Sequence, residues 1–270
     1  MLWIDGIASE PAAPLDRGLE FGDGLFETMA VLNGRVRLLD RHLDRLAAGC
    51  ARLGIKPPSR DLLRAEIIAA AQAPGTAVLK LVLTRGDGGL GYAVDDSRLS
   101  RRYLVAAPSR RRAPSALERG VRVATLPTPM AIQPRLAGIK HLNRLDQVLF
   151  RQDVAALGVD EGLVADPEGR LVCGSMSNVF LLLNGTLTTP ALHRCGIDGV
   201  MRGALLAVCA RLGIAVAVRD VMLSECVGAS EGFLTNALIG LWPIGEFDGR
   251  ALSVGPVTRR LMDEVATWQD

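Results

Sequence analysis

The sequence predicts an α+β protein in which short strands and longer helices surround a compact or barrel-like core. Apolar side chains make up 49% of the 270 residues, which suffices for one large core or two modest ones. Their spacing is helical in some segments and strand-like in others. A Pro- and Arg-rich stretch at residues 108–115 separates two such series, so we expect an N-terminal domain over residues 1–113 and a C-terminal domain over residues 114–270.

The N-terminal elements follow from the spacing of the apolar side chains. Apolar residues recur at helical spacing from Leu39 to Leu53, and Gly54 provides a stop signal, which predicts a helix over this range. Runs of strand-forming residues predict strands at Val78–Thr84 and Tyr103–Ala107. The segment between them, residues 85–92, satisfies the GxGxxG pattern of dinucleotide sites. No helical periodicity follows it, so the pattern favours a flexible hairpin loop.

Helix and strand patterns continue beyond residue 114. Their alternation, with helices as crossovers between short strands, again indicates a mixed α and β domain. The predicted elements are helices at Leu142–Leu157 and Val200–Leu212, and strands at Val121–Leu126, Gly162–Ala165, Val179–Leu183 and Glu231–Thr235.

Charge and cysteine content exclude several kinds of partner. The formal net charge is +2 and the acids and bases are interspersed, so no basic surface for nucleic acid is indicated. Five cysteines without CxxC spacing and three widely separated histidines favour neither a disulfide framework nor a metal site. No run approaches the roughly 20 apolar residues of a membrane span. We therefore expect a soluble, cytoplasmic protein that acts on a small molecule, with no nucleic-acid or membrane partner.

Lysine usage points to one residue. The chain contains 28 arginines and only three lysines, Lys56, Lys80 and Lys140. Arginine cannot replace lysine where a neutral amine must act as a nucleophile. Lys56 precedes a Pro-Pro pair and Lys80 alternates with apolar residues in a strand, so both are interpreted as ordinary solvent-facing residues. Lys140 lies among small residues just before a predicted helix, where a surface lysine is still the favoured explanation from the residues alone.

Five motifs, which follow one another along the chain, favour a functional role for Lys140 over that of a surface lysine. They are Asp-Arg-Gly at 16–18 with Phe-Gly-Asp-Gly-Leu-Phe-Glu-Thr at 21–28, His-Leu-Asp-Arg-Leu at 42–46, Ala-Gly-Ile-Lys-His-Leu-Asn-Arg-Leu at 137–145, Gly-Val-Met-Arg at 199–202, and Phe-Leu-Thr-Asn-Ala-Leu at 233–238. Together they resemble aminodeoxychorismate lyases of the branched-chain-aminotransferase-like family of fold-type IV enzymes. The resemblance implies a smaller N-terminal α/β domain, a C-terminal domain with a barrel-like β core and flanking helices, and an active site at their interface. It also implies a homodimer with pyridoxal 5'-phosphate as cofactor.

The resemblance further implies functions for individual residues. Lys140 holds the cofactor and moves the substrate proton, and Thr28 or Lys140 protonates the leaving group. The other residues implied to bind the cofactor are Arg45, Cys173, Ser177, Asn178, Val200, Met201, Asn236 and Ala237. A loop of the partner subunit closes the pocket, and the residues implied to bind substrate are Arg85, Tyr92 and Arg102. A forked guanidinium and free helix amides suit a dianionic phosphate, which supports three of these assignments independently.

One position departs from the family pattern. Members normally carry a glutamate five residues before the asparagine that corresponds to Asn178, and it pairs with the protonated ring nitrogen of the cofactor. Cys173 occupies that position here. A thiol is a poor partner for a pyridinium, so the cofactor should withdraw electrons less strongly. Three explanations remain open: a tuned lyase, which we favour, a different acid that reaches the ring, and a protein that has lost activity.

The implied function is a lyase that converts 4-amino-4-deoxychorismate to 4-aminobenzoate and pyruvate in folate biosynthesis. Aromatisation drives this reaction, so it tolerates weaker electron withdrawal than transamination does. The alternatives are a D-amino-acid or branched-chain aminotransferase of the same fold and a catalytically impaired homologue that only binds cofactor or protein partners. Spacing alone also leaves Arg45 explained as an exposed helix residue and Asn236 as part of a polar turn.

Overall fold

A computed structural model describes residues 2–8, 16–88, 91–94, 99–108 and 115–268. They form two compact units. The first unit contains the described residues up to 108 together with Ile139–Asn143, and the second contains residues 115–138 and 144–268. Lys140 therefore belongs to the first unit although it is distant in sequence. The predicted domain boundary at residues 113 and 114 lies outside the described residues and stays a prediction.

The described part of the first unit has one sheet of six strands and three helices. The strand order is β2-β1-β6-β5-β3-β4, with antiparallel neighbours throughout. The elements are β1 (Leu2–Ile4), β2 (Ile7–Ala8), α1 (Arg17–Phe21), β3 (Gly24–Leu32), β4 (Arg35–Val36), α2 (Leu39–Leu53), α3 (Arg60–Ala71), β5 (Val78–Thr84) and β6 (Arg101–Ala107).

The two faces of β3 differ in burial, and this difference positions the candidate site. Leu25 and Met29 are buried, whereas Phe26 and Thr28 on the other face are half-buried. Helix α2 contacts β3 and buries the apolar stripe predicted from its spacing. Its last turn ends at Gly54 in the left-handed conformation, as the stop signal predicted.

Residues 139–143 run alongside β3, and His141 forms an antiparallel bridge with Leu25. The amide of Phe26 donates to the carbonyl of Lys140 at 3.0 Å, and the amide of Leu142 donates to the carbonyl of Gly24 at 3.0 Å. Because these backbone groups pair with β3, residues 140–142 do not form the first turn of a helix. The predicted helix start at Leu142 is therefore wrong. The helix begins at Leu145 instead.

The described part of the second unit has a sheet of nine strands with helices against it. The order is β12-β11-β10-β13-β14-β7-β8-β9, and β15 pairs with β14. The elements are α4 (Ser115–Arg119), β7 (Val121–Thr125), α5 (Leu145–Leu157), β8 (Glu161–Ala165), β9 (Leu171–Gly174), β10 (Asn178–Leu183), β11 (Thr186–Pro190), α6 (Val200–Arg211), β12 (Val216–Arg219), α7 (Leu223–Cys226), β13 (Ala229–Asn236), β14 (Gly240–Phe247), β15 (Arg250–Ala251) and α8 (Pro256–Ala266).

Two buried clusters lie on opposite faces of β8. Leu163 packs with Val179 and Leu234 in one cluster. The next residue along the strand, Val164, packs with Phe150 in the other. This alternation decides which polar residues of the second unit share a face.

The predicted α+β class and the fold-type IV architecture are confirmed. Each predicted strand and helix is present, with ends displaced by at most three residues. Several elements were not predicted, among them β3, α3, β9 and β14. Within the described residues, every helix is too short or too polar to span a bilayer.

Candidate active site

The Lys140 amine lies over an aromatic ring of the first unit. Its Nζ is 4.2 Å from the centroid of Phe26, and the Nζ of Lys80 is 5.1 Å from the same centroid. Both distances are within the range of cation–π attraction. The structure therefore brings two of the three lysines to one ring.

Thr28 lies on the same face of the sheet as these groups. Successive strand residues point to opposite faces, so Thr28 shares the face of Phe26. It also pairs directly with Lys80 across β3 and β5. Lys80 is exposed and makes no ion pair within the described part of the chain. The sequence correctly predicted Lys80 as a solvent-facing strand residue, but its place at the same ring as Lys140 depends on tertiary contacts, which one sequence does not reveal.

A buried ion network lies on the opposite face of β3. The carboxylate of Glu27 accepts Nε of Arg45 at 2.9 Å and also binds the Nη2 of Arg45. Nδ1 of His42 lies 2.6 Å from the same carboxylate. Burial raises the pKa of Glu27, but the charge of Arg45 and the hydrogen bonds from His42 and Arg45 outweigh it, so the pKa lies below its ordinary value.

This network defines the environment of Arg45. Its side chain is only 13% exposed, so the alternative of a solvated helix residue is wrong. Two of its donors are already used by Glu27. Glu27 is a second residue that sequence reasoning missed, and the available signal was a carboxylate within an otherwise apolar strand.

Replacing Glu27 with glutamine is expected to destabilise the protein by about 3–5 kcal/mol, because a neutral amide no longer balances the buried charge of Arg45. The effect should depend on pH. The pKa of Glu27 is lowered on folding, so its contribution is full above the ordinary value of 4.5 and is lost as the pH falls through the folded pKa. Urea unfolding at neutral and acidic pH measures this.

The matched control for Glu27→Gln is Asp40→Asn in α2. Asp40 pairs with Arg60 and Arg64 but is 66% exposed. Exposed ion pairs contribute little to stability, so a far smaller change in the free energy of unfolding is expected. Equal losses of unfolding free energy in the two variants would contradict a larger stabilising role for the buried network.

The residues predicted to bind substrate carboxylates are engaged within the first unit. Arg85 donates to Asp23 and to the last carbonyls of α2. Arg102 forms a bidentate ion pair with Glu66, in which each hydrogen bond is 2.7 Å long. Their role toward substrate stays a prediction. Tyr92, in contrast, is 83% exposed.

In the second unit, Asn178 shapes the turn before α6. Its Oδ1 accepts the amide of Gly199 at 3.1 Å, and its Nδ2 donates to the carbonyl of Ile197 at 2.9 Å. A Cβ at Gly199 would lie 2.1 Å from this oxygen, so a side chain there would displace the amide of Asn178 from the turn. Gly199, the N-cap residue of α6, has no side chain to cap the first turn, which makes the start of this helix suited to an anion. The predicted phosphate amides, Val200 and Met201, are in this turn.

Two further predicted cofactor residues have definite surroundings. Asn236 donates to the carbonyl of Met176 and accepts the amides of Leu238 and Ile239, so it holds its own turn, which includes Ala237. Oγ of Ser177 is buried and has no hydrogen-bond partner in the described residues. An unsatisfied buried hydroxyl is uncommon in a folded protein. It is therefore available to a bound group.

Cys173 is a buried, neutral thiol. It packs in the cluster of Phe150 and Val164 and is 7% exposed. Burial raises its pKa well above the ordinary value, and Cys195 and Glu161 act in the same direction. Arg144 has the opposite effect on it. Burial also lowers the pKa of Arg144, to about 10, so the guanidinium stays charged at neutral pH.

Glu161 does not take the place of the missing glutamate. Its Oε1 accepts the amides of Gly162 and Ser175, and its Oε2 has no hydrogen-bond partner within the described residues. It shares a face with Leu163, whereas Cys173 pairs with Val164 on the other face. Glu161 therefore gives no support to the explanation that a different acid reaches the cofactor ring.

A family model described as amino-transferase class IV matches residues 24–247. The chain belongs to this family. Its structure is similar to the crystal structure of 4-amino-4-deoxychorismate lyase from Pseudomonas aeruginosa, with 45% sequence identity, a TM-score of 0.94 and complete coverage of both chains. It is 28% identical to aminodeoxychorismate lyase of Vibrio harveyi, over 99% of this chain and 100% of the relative. It is 29% identical to a putative branched-chain-amino-acid aminotransferase of Methanocaldococcus jannaschii, over 92% and 88%.

Members of the class IV amino-transferase family use pyridoxal phosphate, and most of the residues present fit this group. Lys140 places an amine over Phe26, Gly199 gives α6 no side-chain N-cap, and the hydroxyl of Ser177 has no hydrogen-bond partner within the described residues. The chemistry of these donors suits an aldehyde and a phosphate. Two features fit less well: the neutral thiol of Cys173, which concerns the ring nitrogen, and Arg45, which pairs with Glu27 on the face of β3 opposite Phe26.

Proposed function

We propose that this class IV family member is a lyase that uses pyridoxal phosphate to convert 4-amino-4-deoxychorismate to 4-aminobenzoate and pyruvate, a step in folate biosynthesis. The observation that carries the proposal is the position of the Lys140 amine over Phe26, on the sheet face that also holds Thr28. An amine and a hydroxyl on one face suit a reaction that removes one proton and supplies another. The full-length similarity to the Pseudomonas aeruginosa lyase supports the choice of substrate.

The roles of the residues follow from their chemistry. When bound, pyridoxal phosphate supplies an aldehyde that joins to an amine and a ring that takes up electrons. Lys140 removes the proton from the substrate carbon that bears the amine. Thr28 or Lys140 protonates the enolpyruvyl oxygen as it leaves. Arg45 and the amides of Val200 and Met201 bind the phosphate.

Lys80 is a further candidate for substrate binding. The substrate carries two carboxylates, and Lys80 offers an exposed ammonium on the sheet face of Phe26 and Thr28. Arg85 and Arg102, by comparison, already pair with Asp23 and Glu66. Binding by either arginine requires a carboxylate to share or displace an existing partner.

The thiol at Cys173 favours a lyase over an aminotransferase. Transamination requires strong electron withdrawal by a protonated ring, whereas aromatisation of the product drives the lyase reaction. A neutral thiol gives little support to a protonated ring nitrogen. The proposal also includes a homodimer and a cytoplasmic location, and the five unpaired cysteines are compatible with a reducing compartment.

Product analysis without an added keto acid tests the function. The purified protein, supplied with pyridoxal phosphate and 4-amino-4-deoxychorismate, is expected to release 4-aminobenzoate and pyruvate in equal amounts. A parallel reaction with D-alanine or leucine and 2-oxoglutarate reports on transamination. Amino transfer without 4-aminobenzoate would overturn the proposal in favour of an aminotransferase. Absence of both activities in a protein that binds the cofactor would favour an impaired homologue.

A further inference from the structure

Glu161 is a buried acid of the second unit that takes no part in the proposed mechanism. It is the first residue of β8 and is 0% exposed. Its Oε1 accepts the backbone amides of Gly162 at 3.0 Å and Ser175 at 2.9 Å, and it also accepts the hydroxyl of Ser175. Burial raises the pKa of this carboxyl, because the charged form is poorly solvated there. The bonds to Ser175 join the start of β8 to the β9–β10 turn, which consists of residues 174–177.

The β9–β10 turn is fixed by further contacts. The amide of Gly174 donates to the carbonyl of Ser177 at 2.7 Å and closes the turn. The amide of Ser175 also donates to the carbonyl of Gly162 at 3.0 Å. A Cβ at Gly174 would lie 2.1 Å from Oγ of Ser177 and 3.5 Å from Cγ of Glu161, so the hydroxyl and the acid lie on the same side of this glycine. Glu161 and Gly162 thus hold the turn from β8.

Two elements predicted to bind the cofactor are attached to this turn. Asn178 follows the turn directly and binds the amide of Gly199 at the start of α6. The carbonyl of Met176, within the turn, accepts Nδ2 of Asn236 at 3.0 Å. The β9–β10 turn therefore connects the start of α6 to the turn of Asn236, and a shift of its backbone would affect both.

A second buried acid holds the other end of the same hairpin. Asp166 is 4% exposed, and its Oδ1 accepts the amides of Glu168 at 2.9 Å and Arg170 at 3.0 Å. It holds the turn between β8 and β9 as Glu161 holds the β9–β10 turn. None of the residues predicted to bind the cofactor lies between positions 166 and 170. Asp166 therefore provides a matched control for the loss of a buried carboxylate that holds a turn.

We propose that Glu161 is a positioning residue for the phosphate of the cofactor, which fixes the β9–β10 turn and, through it, the start of α6 and the turn of Asn236. This inference rests on the use of pyridoxal phosphate in the proposed function. Glu161 is shielded from solvent, so its effect passes through Ser175 and the turn. Its loss should weaken the binding of the phosphate group and leave the joining of the aldehyde to Lys140 unchanged.

The test compares pyridoxal phosphate with pyridoxal, which lacks the phosphate, as ligands of the full chain freed of cofactor. The absorbance of the bound aldehyde gives Kd. Glu161→Ala is expected to raise Kd for pyridoxal phosphate about tenfold, the effect of one lost hydrogen bond to a charged group, and Kd for pyridoxal by less than about twofold. Glu161→Gln keeps an oxygen that accepts the bonds from Ser175, so both Kd values should stay within about twofold of the parent.

Asp166→Ala should also leave both Kd values within about twofold of the parent. Urea unfolding without cofactor separates a loss of folding stability, expected in both alanine variants, from a loss of phosphate binding. If Glu161→Ala fails to fold, Ser175→Ala replaces it, since it removes only the hydroxyl bond to Glu161. Its Kd for pyridoxal phosphate alone should rise about threefold.

Three results would overturn the proposal: an unchanged Kd for pyridoxal phosphate, an equal rise in Kd for both ligands, and the same loss of phosphate binding in Asp166→Ala. A parent protein that binds pyridoxal phosphate no more tightly than pyridoxal would overturn it as well. A parent protein that binds neither aldehyde would locate the failure in the proposed function itself, and the inference would fall with it.

Discussion

Replacing Lys140 with alanine is expected to abolish formation of 4-aminobenzoate, with a loss in rate of at least about 10⁴-fold. The amine is proposed both to hold the cofactor and to move the proton, so its removal eliminates two steps together. No neighbouring lysine takes over, because Lys80 approaches Phe26 from the paired strand and is exposed to solvent. Product formation at saturating substrate measures the effect.

The control for Lys140→Ala is the equivalent change at Lys56. Lys56 lies in the loop after α2, outside the face that holds Phe26, so its variant should match the parent in colour and rate. A small amine such as methylamine, added to Lys140→Ala, should restore part of the proton transfer. Retention of more than a few per cent of the parent rate in Lys140→Ala would show that another base performs the reaction.

The second large effect is expected from Cys173→Glu, which should raise transaminase activity by about tenfold or more. A carboxylate at this position would support a protonated ring nitrogen and so strengthen electron withdrawal. The nearby charge of Arg144 offsets part of the cost of burying the carboxylate. The rate of amino transfer from D-alanine or leucine to 2-oxoglutarate reports the gain.

Cys173→Gln is the matched control for this substitution. Glutamine has nearly the shape of glutamate but no charge, so it should not raise amino transfer. Thermal unfolding of both variants separates a loss of packing in the cluster of Phe150 and Val164 from an electronic effect. If Cys173→Glu folds, binds the cofactor and still fails to transfer amino groups faster, electron withdrawal does not set the choice of reaction.

The sequence predicted elements with regular spacing and missed those in which function interrupts the pattern. Helix α2 and strand β5 were predicted to the residue, because an unbroken apolar period runs through each. Strand β3 was missed because it carries Gly24 and Glu27 among its apolar residues. Glycine and charged residues argue against a strand when tertiary contacts are unknown. Here a Cβ at Gly24 would lie 2.4 Å from the carbonyl oxygen of Leu83, and Glu27 pairs with Arg45.

Individual site residues were predicted by the motifs, but their partners were not. Asn178 was expected at the cofactor, and the structure shows that its amide is used to hold the turn at Gly199. Arg45 was expected to present its guanidinium, and the structure pairs it with Glu27. These contacts join positions that are 18 to 21 residues apart. Spacing in one sequence does not encode them.

The most direct test of the account is to locate the covalent attachment of the cofactor. The purified protein is saturated with pyridoxal phosphate, reduced with borohydride and digested for mass spectrometry. We expect a yellow protein that loses its colour on reduction and carries the cofactor mass on the peptide of Lys140 and on no other lysine. A protein that stays colourless with added cofactor, or a label on Lys80 or Lys56 in its place, would contradict the assignment of Lys140.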